Sequence, residues 1–197
     1  MVVGKTGSGK STWTKRLAAE LYRKRWRVLV FDPCDEYSRG APVNPNVAPG
    51  PLPHRMTVPE LLARPEVLDA KRLGLAVVSQ EEPRKVARDF ASVASLVRST
   101  GGLAFIIEEV GYFAEHAAES LKAVATLYRK WGVAAVFVSQ RATQIPLTAR
   151  SQASAVVAFR QDEPADLEAL AQKCGEPFAA EVARLPVGEC RIWRDGA

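Results

Sequence analysis

The segment GKTGSGKS at residues 4–11 constrains the fold more than any other stretch of this 197-residue chain. Gly4, Gly9, Lys10 and Ser11 fit the pattern G-x-x-x-x-G-K-[ST], a loop whose backbone N–H groups turn inward toward phosphate oxygens. Glycines permit that path because a side chain would block the close approach. Such a loop needs a buried strand before it and a helix behind it. Met1–Val3 is apolar, and Trp13, Leu17 and Leu21 recur every fourth residue, which predicts a helix over about 11–24.

The same alternation continues down the chain. Apolar runs at 1–3, 27–31, 74–79, 103–107, 133–139 and 155–159 read as buried strands. Val86, Phe90, Val93 and Val97, then Leu121, Val124, Ala125 and Tyr128, carry helical spacing between them. The pattern predicts an α/β fold: a mostly parallel sheet flanked by helices on both faces, forming a single domain over 1–197. A turn at Pro186-Val187-Gly188 introduces a last strand at 190–193, at an edge and with an antiparallel direction open to it, within a small extension over about 164–194. Five prolines in APVNPNVAPGPLP (41–53) predict an irregular excursion over about 41–56.

Composition narrows the setting. Cys34, Cys174 and Cys190 are widely spaced and show no CxxC pattern, which predicts neither a disulfide framework nor a zinc site and a reducing, cytoplasmic compartment. No apolar run approaches the roughly 20 residues that span a bilayer, so no membrane insertion is expected. A net charge of +5 suits a polyanionic partner without requiring one. With only Met1–Val3 ahead of the loop, the first strand is expected to be central and very short, unless the native start lies upstream.

The chemistry expected of the loop is nucleotide binding, with ATP and Mg2+ as cofactors. Gly4, Lys5, Thr6, Gly7, Ser8, Gly9, Lys10, Ser11 and Thr12 form the binding loop, with Lys10 reaching the β- and γ-phosphates and Ser11 ligating Mg2+. A second motif, LAFIIEEV at 103–110, delivers carboxylates at a strand end: Glu108 to hold the metal's water shell and Glu109 to act as general base. Glu108 stands where such strands usually carry Asp. Gln140 ends the apolar strand 133–139, where it can sense the γ-phosphate or the attacking water. Asp32 and Glu36, beyond the second strand, either reach the metal's surroundings or serve as turn residues around Pro33.

Together, GKTGSGKS, VLVFDPCDEYS (28–38), FIIEEV, FVSQRATQIPLTARSQ (137–152) and LPVGECRIW (185–193) resemble the HerA/FtsK superfamily of DNA-pumping ATPases. The resemblance implies a RecA-like ASCE P-loop NTPase core that moves double-stranded DNA as a homo-oligomeric ring, a pentamer or hexamer, by gripping the DNA backbone without reading sequence. A bare core of this size resembles the genome-packaging ATPases of tailless, internal-membrane viruses. That implies a capsid vertex or portal-like partner and a location in the host cytoplasm or virion. Ring assembly further implies an arginine supplied to the neighbour's site, with Arg150 and Arg141 as candidates and Arg160 a third. Lys71, Arg72, Arg84, Lys85, Arg88 and the YRKW patch (128–131) are candidate DNA contacts or solvated helix faces. Alternatives are a plasmid-mobilisation, DNA-repair or filamentous-phage assembly ATPase of the same superfamily, a small-molecule or nucleoside kinase, and a nucleotide-binding scaffold without hydrolysis.

Overall fold

Short runs of Val, Leu, Ile and Phe become the strands of one eight-stranded sheet in the computed structural model, which describes residues 1–38 and 50–196. The strands are β1 (Val2–Val3), β2 (Val28–Asp32), β3 (His54–Thr57), β4 (Gly74–Val78), β5 (Ala104–Ile107), β6 (Ala134–Ser139), β7 (Ala155–Phe159) and β8 (Cys190–Arg194). They lie in the order β3-β4-β2-β5-β6-β1-β7-β8. All neighbours are parallel except β8, which joins the edge antiparallel to β7. Crossover connections between parallel strands require helices, and these are α1 (Lys10–Arg23), α2 (Val58–Ala63), α3 (Pro83–Thr100), α4 (Val110–Phe113), α5 (Ala118–Leu127) and α6 (Leu147–Gln152), while α7 (Pro164–Cys174) and α8 (Glu176–Ala183) lead from β7 to the antiparallel β8.

Side chains alternate along each strand, so the sheet has two apolar faces. Leu29, Phe31, Leu75, Val77, Phe105 and Ile107 pack toward α3, α5, α7 and α8. Val28, Val30, Ala76, Ile106 and Val138 face the other way, toward α1, Tyr37 and Leu52. The first face is the thicker one. Phe90 on α3 sits 5.4 Å from Phe31, 5.2 Å from Phe113 and 6.0 Å from Phe105, measured between ring centroids. Val86, Val93 and Val97 complete the buried stripe that the helical spacing predicts. No helix among the described residues is long and apolar enough to cross a membrane.

Two local departures from the sequence expectations have physical causes. In α1 the buried face is Lys10, Thr14 and Ala18, while Leu17 is only half-buried and Trp13 and Leu21 pack at the margin. The polar pair must sit over the strand ends, which rotates the stripe by one residue, and the small Ala18 lets the helix approach the sheet. The second departure is β3, an edge strand inside the expected excursion. Its sequence HRMT lacks apolar alternation because His54 and Arg55 are exposed and only Met56 is buried. Pairing with β4 and an ion pair from Arg55 to the buried Asp35 (2.8 Å) hold it in place. Residues 41–49 of the excursion lie outside the described residues.

β1 is interior and two residues long, paired with β6 on one side and β7 on the other. Val3 registers with Ser139 and Ala158, so Gln140 leaves the sheet at the level of Gly4. The parallel strands therefore bring Gly4, Asp32, Glu108 and Gln140 to one edge of the sheet, their C-terminal ends, where α/β proteins assemble sites.

Candidate functional site

The phosphate loop runs from Gly4 to the first turn of α1. Gly7 and Gly9 have φ of 77° and 99°, the left-handed region that a side chain disfavours, so these positions let successive amides converge. The loop is tied down by its own backbone, with the Ser8 N–H donating to the Lys5 carbonyl (3.1 Å) and the Lys5 N–H to the Arg160 carbonyl (3.3 Å). The C-terminal turn leans on it too, through a bond from the Gly188 N–H to the Ser8 carbonyl (3.0 Å). The helix behind it is 14 residues long and aims its positive N-terminal end at the loop. Lys5 pairs across the surface with Asp162, and Thr12 is exposed on α1.

Lys10 is 5% exposed and its ammonium lies 3.4 Å from the Glu109 carboxylate. Glu109 reaches it through an unusual backbone: φ 46° and ψ 45° place a non-glycine residue in the left-handed region, which costs about 1 kcal/mol. That twist turns the side chain off the strand line and over the loop. Gln140 joins in, donating to Glu109 (3.3 Å) while accepting from the Thr6 hydroxyl (2.8 Å). Thr6, Gln140, Glu109 and Lys10 thus form a continuous polar chain across the mouth of the phosphate loop.

Glu108 points elsewhere. Its N–H still bonds the Phe31 carbonyl (3.0 Å), so it remains in line with the sheet, and it is 4% exposed. One carboxylate oxygen accepts from the Thr14 hydroxyl (3.0 Å) and from the Tyr37 hydroxyl. Burial pushes the Glu108 carboxyl up, opposed by the Tyr37 bond and by the charge of Lys10. Burial and the Glu108 charge raise the Tyr37 phenol well above its ordinary value, so it stays a donor. Asp32 is fully buried and accepts the N–H groups of Cys34 (3.2 Å), Glu36 (2.7 Å) and Tyr37 (2.9 Å). Burial raises its carboxyl to about 7 against the pull of those amides. Asp32 is thus a turn former that shapes the loop carrying Tyr37, while Glu36 pairs with Lys15 at 2.8 Å.

A pocket of about 10 Å³ lies among Ser11, Asp32, Tyr37, Glu108 and Glu109, room for about one water. Hard oxygen donors suit Mg2+, which keeps several waters and takes one or two protein ligands beside substrate phosphates. Ser11 and Glu108 fit that role. Among the described residues no three His, Cys, Asp or Glu form a metal cage. Two larger clefts flank Glu109. One of about 410 Å³ follows the loop from Lys5 to Thr12, and another of about 690 Å³ opens on the far side between Cys34, Glu81, Tyr112 and Gln144.

The arginines separate. Arg141 is committed within its own chain, donating to the buried Asp166 (2.9 Å), which also takes the Thr143 N–H and hydroxyl. Arg150 on α6 is half-buried, and its Nε has no partner among the described residues; the Nε of Arg160 is in the same condition. Lys71, Arg72, Arg84, Lys85, Arg88, Arg129 and Lys130 are exposed, but Tyr128 is buried, Arg72 lies over the Tyr22 ring and Lys85 pairs with Glu81. Sequence reasoning missed Thr14, Tyr37, Asp166 and Gln161, whose side chain bonds the Gln140 carbonyl (2.9 Å). Tyr37 lay within the DPCDEYS segment, the one signal available for it.

Residues 1–98, which carry the phosphate loop and the Asp32–Tyr37 segment, match the family described as helicase HerA, central domain. No curated protein sequence matches the chain. Among solved structures, the genome packaging NTPase B204 from Sulfolobus turreted icosahedral virus 2, in complex with AMPPCP, superposes with a TM-score of 0.67 at 16% identity, covering 98% of this chain and 95% of that one. VirB4 of Thermoanaerobacter pseudethanolicus gives 0.67 at 13% identity over 100% of this chain and 86% of that one. The bacterial conjugative coupling protein TrwB gives 0.64 at 13% identity, covering 99% and 81%. The matched motifs and the shared sheet place this chain among the HerA/FtsK-type P-loop ATPases.

Proposed function

We propose that the chain is an Mg2+-dependent ATPase that moves double-stranded DNA as a homo-oligomeric ring, and that its job is genome packaging. The observation that carries the ATPase reading is the polar chain Thr6–Gln140–Glu109–Lys10, which brings a phosphate-binding cation, a carboxylate base and an amide sensor into mutual contact. The loop amides and Lys10 bind the phosphates, and Lys10 leaves Glu109 for the γ-phosphate as it does so. Glu109, freed of its ion pair, orients a water whose oxygen bonds to the γ-phosphorus as the bond to the β-phosphate oxygen breaks; the water's proton passes to the carboxylate. Gln140 spans Glu109 and the loop, so its contacts differ before and after that bond breaks. Ser11 and Glu108 would hold Mg2+, which would supply charge neutralisation at the phosphates.

The packaging reading is supported by the viral NTPase, which superposes over 95% of its own chain. DNA transfer between cells is the second reading, favoured by the equal TM-score to VirB4. Hydrolysis measured with and without double-stranded DNA, with assembly state followed in parallel, tests the proposal. The expected result is Mg2+-dependent ATP turnover stimulated by DNA of any sequence, weakening steeply as salt rises, in a five- or six-membered ring. Turnover indifferent to DNA, or phosphate transfer to a small acceptor, would contradict it.

A further inference from the structure

Tyr37 lies outside both nucleotide motifs, yet its hydroxyl ends on Glu108, the carboxylate assigned to the metal under the proposed function. Its ring is 1% exposed, packed on the same sheet face as Val28, Val30, Leu52 and Ile106. The hydroxyl bonds Glu108 and lies 2.6 Å from the Thr14 oxygen, and Thr14 in turn bonds the same Glu108 oxygen. Two buried hydroxyls therefore lie within hydrogen-bond distance of Oε1, Thr14 also facing the Lys10 and Ser11 carbonyls (3.2 Å each). The arrangement is built from below by Asp32, whose bonds to the Glu36 and Tyr37 amides fold the intervening turn, and from the side by the Leu52 N–H, which bonds the Tyr37 carbonyl (2.9 Å).

Chemistry gives this clamp a purpose. Glutamate has one more rotatable bond than the aspartate usual at such a strand end, so a free carboxylate would lose more conformational freedom on meeting the metal shell. Fixing Oε1 removes that freedom before nucleotide arrives. We propose that Tyr37 and Thr14 are positioning residues for Glu108, holding its carboxylate at the reach and orientation that the Mg2+ shell of the bound nucleotide requires. The inference rests on the assignment of Glu108 to that shell.

The test is equilibrium binding of a fluorescent β,γ-methylene ATP analogue to the full chain, first in EDTA and then across a Mg2+ titration, for wild type, Tyr37→Phe, Thr14→Val and Glu108→Gln. Phenylalanine keeps the packed ring, and valine keeps the threonine shape. The expected result is equal affinity for wild type, Tyr37→Phe and Thr14→Val in EDTA, with the Mg2+ midpoint raised about tenfold in the two hydroxyl variants, as expected for loss of a hydrogen bond to a charged group. Glu108→Gln should lose most of the Mg2+-dependent gain. Wild-type midpoints in both hydroxyl variants, with Glu108→Gln still impaired, would overturn the positioning role and leave the metal assignment standing. A wild-type midpoint in Glu108→Gln would overturn both. Equal losses with and without Mg2+ in the hydroxyl variants would make them structural residues and overturn the proposal as well; the valine variant decides if the phenylalanine variant does not fold.

Discussion

Glu109 is where local strain and charge meet. Its left-handed backbone turns the carboxylate onto Lys10, so the cation that nucleotide needs is already paired at 3.4 Å. On the proposed reading, a γ-phosphate displaces Glu109 as it binds, and the same displacement frees the proposed base. Glu109→Gln removes the competitor while keeping the shape. The expected outcome is ATP binding a fewfold tighter, since a partly exposed ion pair contributes up to about 1 kcal/mol, together with a fall in turnover of about 100- to 10,000-fold. Titration of a nucleotide analogue and steady-state phosphate release measure the two effects; unchanged turnover would remove Glu109 from the role of base. Lys10, Ser11, Glu108 and Glu109 could be picked out from sequence because the chemistry demands those residue types at fixed offsets along one strand or loop. Tyr37 and Thr14 could not, because a hydroxyl becomes a positioning group only through burial and through contacts across 94 and 71 residues of chain.

At the scale of elements, Gln140, the proposed sensor, is fixed from behind. Gln140 is exposed at the end of β6, and the segment beyond it is held by α7: Asp166, fully buried, takes Arg141 and the N–H and hydroxyl of Thr143, while Gln161 secures the Gln140 carbonyl. Asp166→Ala leaves these donors without their acceptor, which costs about 1–3 kcal/mol, so thermal unfolding should shift down by several degrees. The functional outcome expected is a larger loss in turnover than in nucleotide affinity, because the phosphate loop is anchored separately through Arg160 and Gly188. Turnover and analogue binding on the same preparation check it; parallel losses would show that the two anchors act as one. Most elements are legible in periodicity, as Val86, Phe90, Val93 and Val97 show by all facing the core. β3 escaped because an edge strand with exposed His54 and Arg55 has no apolar rhythm, and the face of α1 was misjudged because the site, not hydrophobicity, sets its rotation.

The whole molecule presents one candidate edge, and on its far side, beyond Glu109, the described residues bring no cation. Lys10 is the cation at the loop, Arg141 is held by Asp166, and the roughly 690 Å³ cleft beyond Glu109 is lined by Glu81 and Glu109 with no basic side chain in its walls among the described residues. Arg150 sits half-buried on α6, its Nε enclosed and unpartnered among the described residues. Under the proposed ring, a second cation is supplied if Arg150 of one subunit extends its guanidinium to the γ-phosphate side of the next, where it stabilises charge on the transferring group. Mixing separates this from a role within one chain. Arg150→Ala should bind nucleotide like wild type and assemble normally, and its own turnover should fall by about 1,000-fold or more. Titrated into wild-type subunits, it should depress turnover faster than its mole fraction, because each inert subunit also leaves a neighbour's site incomplete. Turnover falling in simple proportion to wild-type content would place the arginine's effect within its own subunit, and wild-type turnover by the pure variant would remove it from catalysis altogether.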